Sequence, residues 1–356
     1  MKDYLYNLAT DKDMSLFGSC IKFFLLLVSL LYGLIVRILI LFYRFYPYIL
    51  KCTVISVGNI TLGGTGKSSL VEFIARNLKQ QGHTVAVLTR GYRRLTEQDN
   101  LKGAPHEEMG DEPYMLQEKL SGIPVIVDSD RIKAGIRAIR DYDADTVILD
   151  DGMQQWKIKK DLEIITINAT CPLGNGHLLP RGILREPISS LRRADIFILT
   201  KTNLSPDNEK IKYFLNGLNP GALILESIHK PVALYKAAKP AEPLGLNFLE
   251  GKPVTLFCGI GDPDSFENLI KSIGANVGLC FKFTDHHNYT GTDLDGIIEA
   301  SRKKNIRTVV TTEKDAARLD ESELGRLGEE ILVLRIEQSI KDEQRFFDRL
   351  FKLYRL

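Results

Sequence analysis

The stretch TVISVGNITLGGTGKSS (Thr53–Ser69) runs from a short β-branched segment through a cluster of glycines into the start of a helical pattern. A strand, a glycine-rich turn and a Lys-Ser pair opening a helix is the order of a phosphate-binding P-loop. Glycines let successive backbone N–H groups turn inward onto phosphate oxygens, and the helix N-terminus adds positive potential. Lys67 is placed to reach the β- and γ-phosphates, and the Ser68 hydroxyl is a Mg²⁺ ligand. The expected nucleotide contacts are Gly63, Gly64, Thr65, Gly66, Lys67, Ser68 and Ser69. The loop is a variant: the strict spacing asks for glycine five residues before Gly66, where Thr61 stands between Gly58 and Gly63.

Outward from the loop, short β-branched runs alternate with amphipathic stretches, which predicts an α/β fold with a parallel sheet covered on both faces, like the P-loop NTPases. Strands are expected at Thr53–Val57, Thr84–Thr89, Pro124–Val127, Thr146–Leu149, Glu163–Ile167 and Asp195–Thr200, with helices at Ser68–Gln80 and Asp130–Asp141. Strands Val254–Cys258, Leu279–Phe283 and Arg307–Thr311, with helices Pro263–Ile273 and Asp293–Lys304, predict a second, smaller α/β domain. The organisation reads as a membrane-associating region 1–50, a P-loop core 51–227, a proline-bearing connection 228–246 and a C-terminal α/β domain 247–356.

The apolar run Thr146–Leu149 ends in Asp150-Asp151-Gly152, the form of a strand that holds Mg²⁺ beside a P-loop. Ligands bind at that carboxyl edge of such sheets, so Asp150 and Asp151 join Ser68 as metal candidates. Paired acids at a strand end also suit a solvated turn; the neighbouring P-loop favours the site.

Before the loop lies a segment of another character. From Phe23 to Tyr43 the only charge is Arg37, and the aromatic-basic sequence FYRFYPYILK follows. That length fits either a helix crossing a bilayer or one lying in its interface. The composition of the whole chain is nonetheless globular: 356 residues, 44% hydrophobic and 26% charged. A net charge of +2 supplies no general field for nucleic acid, so none is expected as a partner. The five cysteines are scattered without a CxxC pair, which argues against a disulfide framework or a zinc site.

The chain resembles the tetraacyldisaccharide 4'-kinases, also called lipid A 4'-kinases, over nearly its whole length. The resemblance rests on SLLYGLIVR (Ser29–Arg37), ISVGNITLGGTGKSS (Ile55–Ser69), RGYRR (Arg90–Arg94), GDEP (Gly110–Pro113), VILDDGMQ (Val147–Gln154), LLPRGILREP (Leu178–Pro187), FTDHH (Phe283–His287) and TTEKDAARL (Thr311–Leu319). One departure is Arg93, where the family usually has glycine after RGY.

The resemblance implies ATP-dependent phosphorylation of the 4'-hydroxyl of an acylated glucosamine disaccharide 1-phosphate, a lipid A precursor, giving lipid IVA at the cytoplasmic face of the inner membrane. It implies ATP and Mg²⁺ as cofactors, membrane lipids as surroundings and no obligatory protein partner. It also assigns Asp111 as the base for the incoming hydroxyl, together with the histidine of FTDHH, matched to His286 with His287 as fallback, while Lys67 acts on the phosphates. Without the resemblance, Asp111 reads more readily as a helix-capping acid, and the histidine pair equally well as a structural turn. Arg90, Tyr92, Arg93 and Arg94, and Arg181, Arg185 and Glu186, form two polar clusters suited to phosphate or to a solvated loop. TTEKDAARL reads as a helix start with Glu313 favouring the dipole. The alternative from another class is a membrane-tethered P-loop switch acting on a protein partner. Its guanine-specific form expects an acid after Thr200-Lys201-Thr202-Asn203, which the sequence lacks.

Overall fold

The computed structural model describes residues 16–90, 111–205, 207–284, 287–327 and 330–355. The chain forms two compact units, one running to Ile228 and including Ile340–Leu356, the other spanning His229–Ser339.

In the first unit the sheet contains β1 (Thr53–Asn59), β2 (Val85–Thr89), β3 (Val125–Val127), β4 (Thr146–Asp150), β5 (Leu162–Asn168), β6 (Ile196–Thr200) and the start of β7 (Leu223–Lys236). Its order is β7-β6-β5-β1-β4-β2-β3, and the pairings are parallel. β1 is central and buried on both faces: Val54 turns to one layer while Ile55 and Val57 turn to the other. Between strands run α1 (Leu16–Phe45, before β1), α2 (Lys67–Gln80), α3 (Asp111–Lys119), α4 (Arg131–Tyr142) and α5 (Asn208–Leu218). α2 exists by its stripe Leu70, Val71, Ile74, Ala75 and Leu78, all buried at helical spacing against Ile55, Val57 and Ile148.

Sequence periodicity missed how this core closes. α10 (Glu343–Phe351), at the chain's end, returns to the first unit and buries Phe346 and Leu350 among the α2 and α3 side chains. Phe73 meets Phe346 and stacks on Phe347 at centroid distances of 5.9 and 5.6 Å. A fully buried side chain of this size contributes about 1.5–3 kcal/mol, so the last turns of the chain stabilise the P-loop unit.

In the second unit β9 (Pro253–Cys258), β10 (Asn276–Lys282), β11 (Thr308–Thr312) and β12 (Ile331–Ile340) take the order β10-β9-β11-β12 beside β7. Their helices are α6 (Pro263–Ser272), α7 (Gly291–Lys303), α8 (Glu313–Ala316) and α9 (Glu321–Leu327). Residues 228–246, where prolines indicate a connection, are occupied by the rest of β7 and by β8 (Lys239–Leu244), paired antiparallel through Leu234 and Leu244. Pro240 and Pro243 are tolerated in β8 because the strand is exposed from Lys239 to Pro243, where a missing N–H need not serve a second neighbour.

α1 is long and apolar enough to cross a membrane. One stripe of it is seated on protein instead: Ser29, Gly33 and Val36 are buried, whereas Phe23, Phe24, Leu30, Leu31, Leu34 and Ile38 are exposed. Ser29 Oγ donates to the Leu178 carbonyl and accepts from the Arg181 N–H at 3.2 Å. Tyr32 OH donates to the Arg185 carbonyl at 2.7 Å. The helix is therefore anchored to the LLPRGILREP segment, which leads straight into the candidate site.

Candidate active site

The glycine-rich loop leaves β1 at Asn59, on the carboxyl edge of the first unit's sheet. Gly63 has φ +107° and Gly66 has φ +77°, the left-handed region that a Cβ disfavours. Gly66 is the N-cap of α2 and contributes no side-chain cap, so the first N–H groups of that helix are left to a ligand. Gly58 serves differently from the loop glycines: a Cβ there would stand 2.5 Å from Met153, because the turn after β4 packs flat against β1.

Two further contacts fix the loop. Leu62 N–H donates to Ile183 O at 2.8 Å and Arg185 N–H donates to Ile60 O at 2.7 Å, so the LLPRGILREP segment lies alongside the start of the loop. Thr65 Oγ1 is 2.8 Å from Thr166 Oγ1 on β5, and Thr166 in turn donates to Gly58 O at 3.2 Å.

Lys67 Nζ donates to Asn59 Oδ1 at 3.1 Å and lies 3.7 Å from the Asp151 carboxylate. Arg185 grips that same carboxylate with both terminal nitrogens, at 2.7 and 2.9 Å, and reaches Asn59 Oδ1 at 3.1 Å. A planar guanidinium matches a carboxylate bidentately, so this is a fixed angle as well as an attraction. Burial alone would raise the Asp151 carboxyl; the Arg185 hydrogen bonds and the Lys67 charge outweigh it and hold the group below the usual carboxylate range. Asp151 itself sits at φ +56°, an unusual conformation that these partners sustain.

Asp150 ends β4 directly beside Val57 of β1 and is almost fully buried. Thr89 Oγ1 donates to it at 3.3 Å. Arg131, at the start of α4, is 3% exposed; its Nη1 donates to Asp128 O and its Nε has no partner among the described residues. Burial pulls its guanidinium down to about 10, while Asp150 opposes that shift and Arg90 adds to it. It stays cationic at neutral pH.

Behind this front lies Glu186, fully buried. It accepts from Gln154 Nε2 and Trp156 Nε1 at 3.1 and 3.0 Å, and from Arg193 Nη2 at 2.9 Å. Arg193 also bonds the Met153 carbonyl, and Lys160 bridges the same carbonyl to Glu163. The turn after Asp151 is thus held on its far side by a buried ionic network. Glu186→Ala leaves Arg193 without that partner in the interior, and a loss of about 3–5 kcal/mol is expected, read from the urea midpoint at constant slope.

Of the candidates Lys67, Ser68, Asp150 and Asp151, the structure brings Lys67 within 3.7 Å of Asp151, places Ser68 in the first turn of α2 and ends β4 on Asp150, all in the first unit. The roles of Asn59, Arg131 and Arg185 went unread, because each depends on a neighbour distant in the chain. Asp111 is the first residue of α3. His286 and residues 91–94 of the RGYRR motif lie outside the described residues. His287 stacks on Phe283 at 4.5 Å and its Nε2 lies 3.2 Å from Asp293. Among the described residues no cluster of three or more His, Cys, Asp or Glu forms.

The family described as tetraacyldisaccharide-1-P 4'-kinase matches residues 21–355. The chain belongs to that family. The tetraacyldisaccharide 4'-kinase of Halothermothrix orenii is 35% identical over 96% of this chain and 95% of its own. That of Syntrophus aciditrophicus is 37% identical over 83% of each. Among solved structures, LpxK from Aquifex aeolicus in complex with ATP aligns with a TM-score of 0.73 and 28% identity, covering 94% of this chain and all of that one. As a family member the chain is an enzyme, an ATP-dependent kinase of lipid A biosynthesis.

Proposed function

We propose that the chain transfers the γ-phosphate of ATP to the 4'-hydroxyl of an acylated glucosamine disaccharide 1-phosphate, with the loop Gly63–Ser69 as the phosphate cradle. The observation that carries this is the convergence of Lys67 and Arg185 on Asp151 where α2 opens. The backbone N–H groups after Gly66 bind the phosphates and Lys67 spans the β- and γ-oxygens, so charge is neutralised as it spreads in the transition state.

The donor set suits Mg²⁺. That ion takes one or two protein oxygens and keeps water and phosphate for the rest, so it needs no cluster of acids. Ser68 and Asp150 would hold it, since Asp151 is engaged by Arg185 with both oxygens. When bound, the ion supplies further neutralisation at the β- and γ-oxygens.

The acceptor hydroxyl loses its proton to Asp111 as its oxygen bonds to the γ-phosphorus and the bond to the ADP oxygen breaks. His286 tunes that base. Both roles come from the family resemblance. α1 keeps the enzyme at the cytoplasmic face of the inner membrane, where an acceptor with several acyl chains resides, and its hydrogen bonds to Leu178 and Arg185 tie that position to the site.

The test is transfer of labelled γ-phosphate from ATP to purified acylated disaccharide 1-phosphate in mixed micelles. Label at the 4' position supports the reading; a folded, ATP-binding protein that labels no lipid sinks it. Asp111→Ala is expected to lower turnover about a hundredfold with ATP binding retained, as removal of a general base does. Loss of ATP binding in that variant would count against the base role.

A further inference from the structure

Two hydroxyls of α1, those of Ser29 and Tyr32, sit on the stripe of that helix that meets protein. Ser29, Tyr32, Gly33 and Val36 recur at helical spacing; Ser29, Gly33 and Val36 are buried, while Leu30, Leu31, Leu34 and Ile35 around them are exposed. Gly33 marks the closest approach, since a Cβ on it would stand 2.6 Å from Leu178 Cδ1. A small residue lets a helix backbone come in close, and a hydroxyl within an apolar helix needs a partner there. Ser29 finds its partners at the Leu178 carbonyl and the Arg181 N–H, and Tyr32 at the Arg185 carbonyl.

Both hydroxyls thus reach one loop that is bonded to itself. Leu179 N–H donates to Leu184 O at 2.9 Å, Gly182 N–H to Leu178 O at 2.9 Å and Leu184 N–H to His177 O at 3.1 Å. The chain then enters Arg185, whose N–H donates to Ile60 O at 2.7 Å and whose carbonyl accepts from Tyr32 OH at 2.7 Å. One bond comes from the start of the phosphate loop and the other from the apolar helix, one on each of the two peptides that flank the Arg185 Cα. From that fixed point the guanidinium runs to the Asp151 carboxylate and to Asn59 Oδ1.

A two-pronged grip has a required angle as well as a required distance, and a displacement of about 1 Å in a site of this kind costs on the order of a hundredfold in rate. Attachment to a bilayer asks only for apolar side chains facing outward, not for a hydroxyl bonded to the backbone of the arginine that holds Asp151. We infer that Tyr32 is a positioning residue for phosphoryl transfer, acting through the Arg185 backbone to aim the guanidinium at Asp151. This rests on the function proposed above, and it makes α1 a part of the catalytic site as well as its tether.

The experiment is a double-mutant cycle on the full chain, comparing wild type, Tyr32→Phe, Arg185→Ala and the pair. The kcat and the KM for the acylated disaccharide are measured in mixed micelles, and binding to vesicles of phosphatidylethanolamine and phosphatidylglycerol by co-sedimentation. Tyr32→Phe keeps the ring and removes one hydroxyl. It is expected to lower kcat about tenfold, with the KM for the disaccharide and vesicle binding within about twofold of wild type. The double variant should turn over no more slowly than Arg185→Ala alone. Wild-type kcat in Tyr32→Phe, a loss confined to vesicle binding or to the KM, or losses that multiply in the double variant overturn the inference and leave the proposed function standing. Wild-type kcat in Arg185→Ala removes the fork from the reaction and overturns the inference with it. A wild-type protein that labels no lipid overturns the proposed function itself, and this inference falls with it.

Discussion

Lys67→Ala is expected to lower kcat/KM for ATP-dependent phosphorylation about a thousandfold or more while the protein remains folded. Lys67 opens α2 with its ammonium 3.1 Å from Asn59 Oδ1 and 3.7 Å from Asp151, at the mouth of the loop. An ammonium there is largely withdrawn from water, being 17% exposed in its side chain, so its field on a γ-phosphate is only weakly screened. Removing one charge-stabilising donor from a preorganised site costs 10²–10³-fold in well-studied enzymes, and this one serves two phosphates. None of the loop's backbone contacts runs through the Lys67 side chain, so the thermal midpoint should stay close to wild type. A variant within about tenfold of wild-type kcat/KM would falsify the assignment of this loop to the transferred phosphate.

The second large effect is expected from Arg185→Ala, between about 10²- and 10³-fold in kcat. Arg185 supplies both hydrogen bonds to Asp151 and one to Asn59, while its own backbone pairs with Ile60. With the guanidinium gone, Asp151 keeps Lys67 as its nearest cation, and the pair draws together. Lys67 is then occupied by a carboxylate when it is needed by phosphate. Arg185→Lys should recover little, because a single ammonium cannot reproduce the two-pronged grip. The check is single-turnover transfer alongside ATP affinity. Equal rates for wild type, Arg185→Ala and Arg185→Lys would show that the fork plays no part in transfer.

Asp151 also sets a direction with pH. Asp151 has its carboxyl lowered relative to the unfolded chain, so the stability it contributes is present above the unfolded carboxylate range and is lost as pH falls through the folded value. Arg185→Ala should weaken that acid-side dependence without abolishing it, since Lys67 still lowers the carboxyl, a comparison open to urea titrations at several pH values.

Most of the first unit's strands and helices were legible because their residues report on their nearest neighbours. Strand β1 reads as Val-Ile-Ser-Val because it is buried on two faces. α2 reads as a stripe because only one of its faces is buried. The P-loop was legible for a related reason: its glycines, Lys67 and Ser68 act within a dozen residues of chain, and local backbone geometry determines what they do. Asp150 and Asp151 followed because a parallel strand beside β1 must deliver its last residues to the same edge.

What the sequence alone could not disclose depends on closure between distant segments. Nothing in Glu343–Phe351 says that this amphipathic helix packs on Phe73 rather than on the strand just before it. Arg185 and Glu186 are adjacent in sequence but point to opposite tasks, one gripping Asp151 in the site and the other buried behind it with Trp156 and Arg193. Asp315 reads as an acid in a helix's first turn, and only the register that sets Gly259 beside β11 reveals that it accepts from the Gly259 N–H. The sequence by itself marked out the P-loop, since a P-loop is a local object. The tertiary structure alone decided which charged groups meet around it, since burying an ionic group requires partners that hydrophobic closure, not chain order, brings within reach.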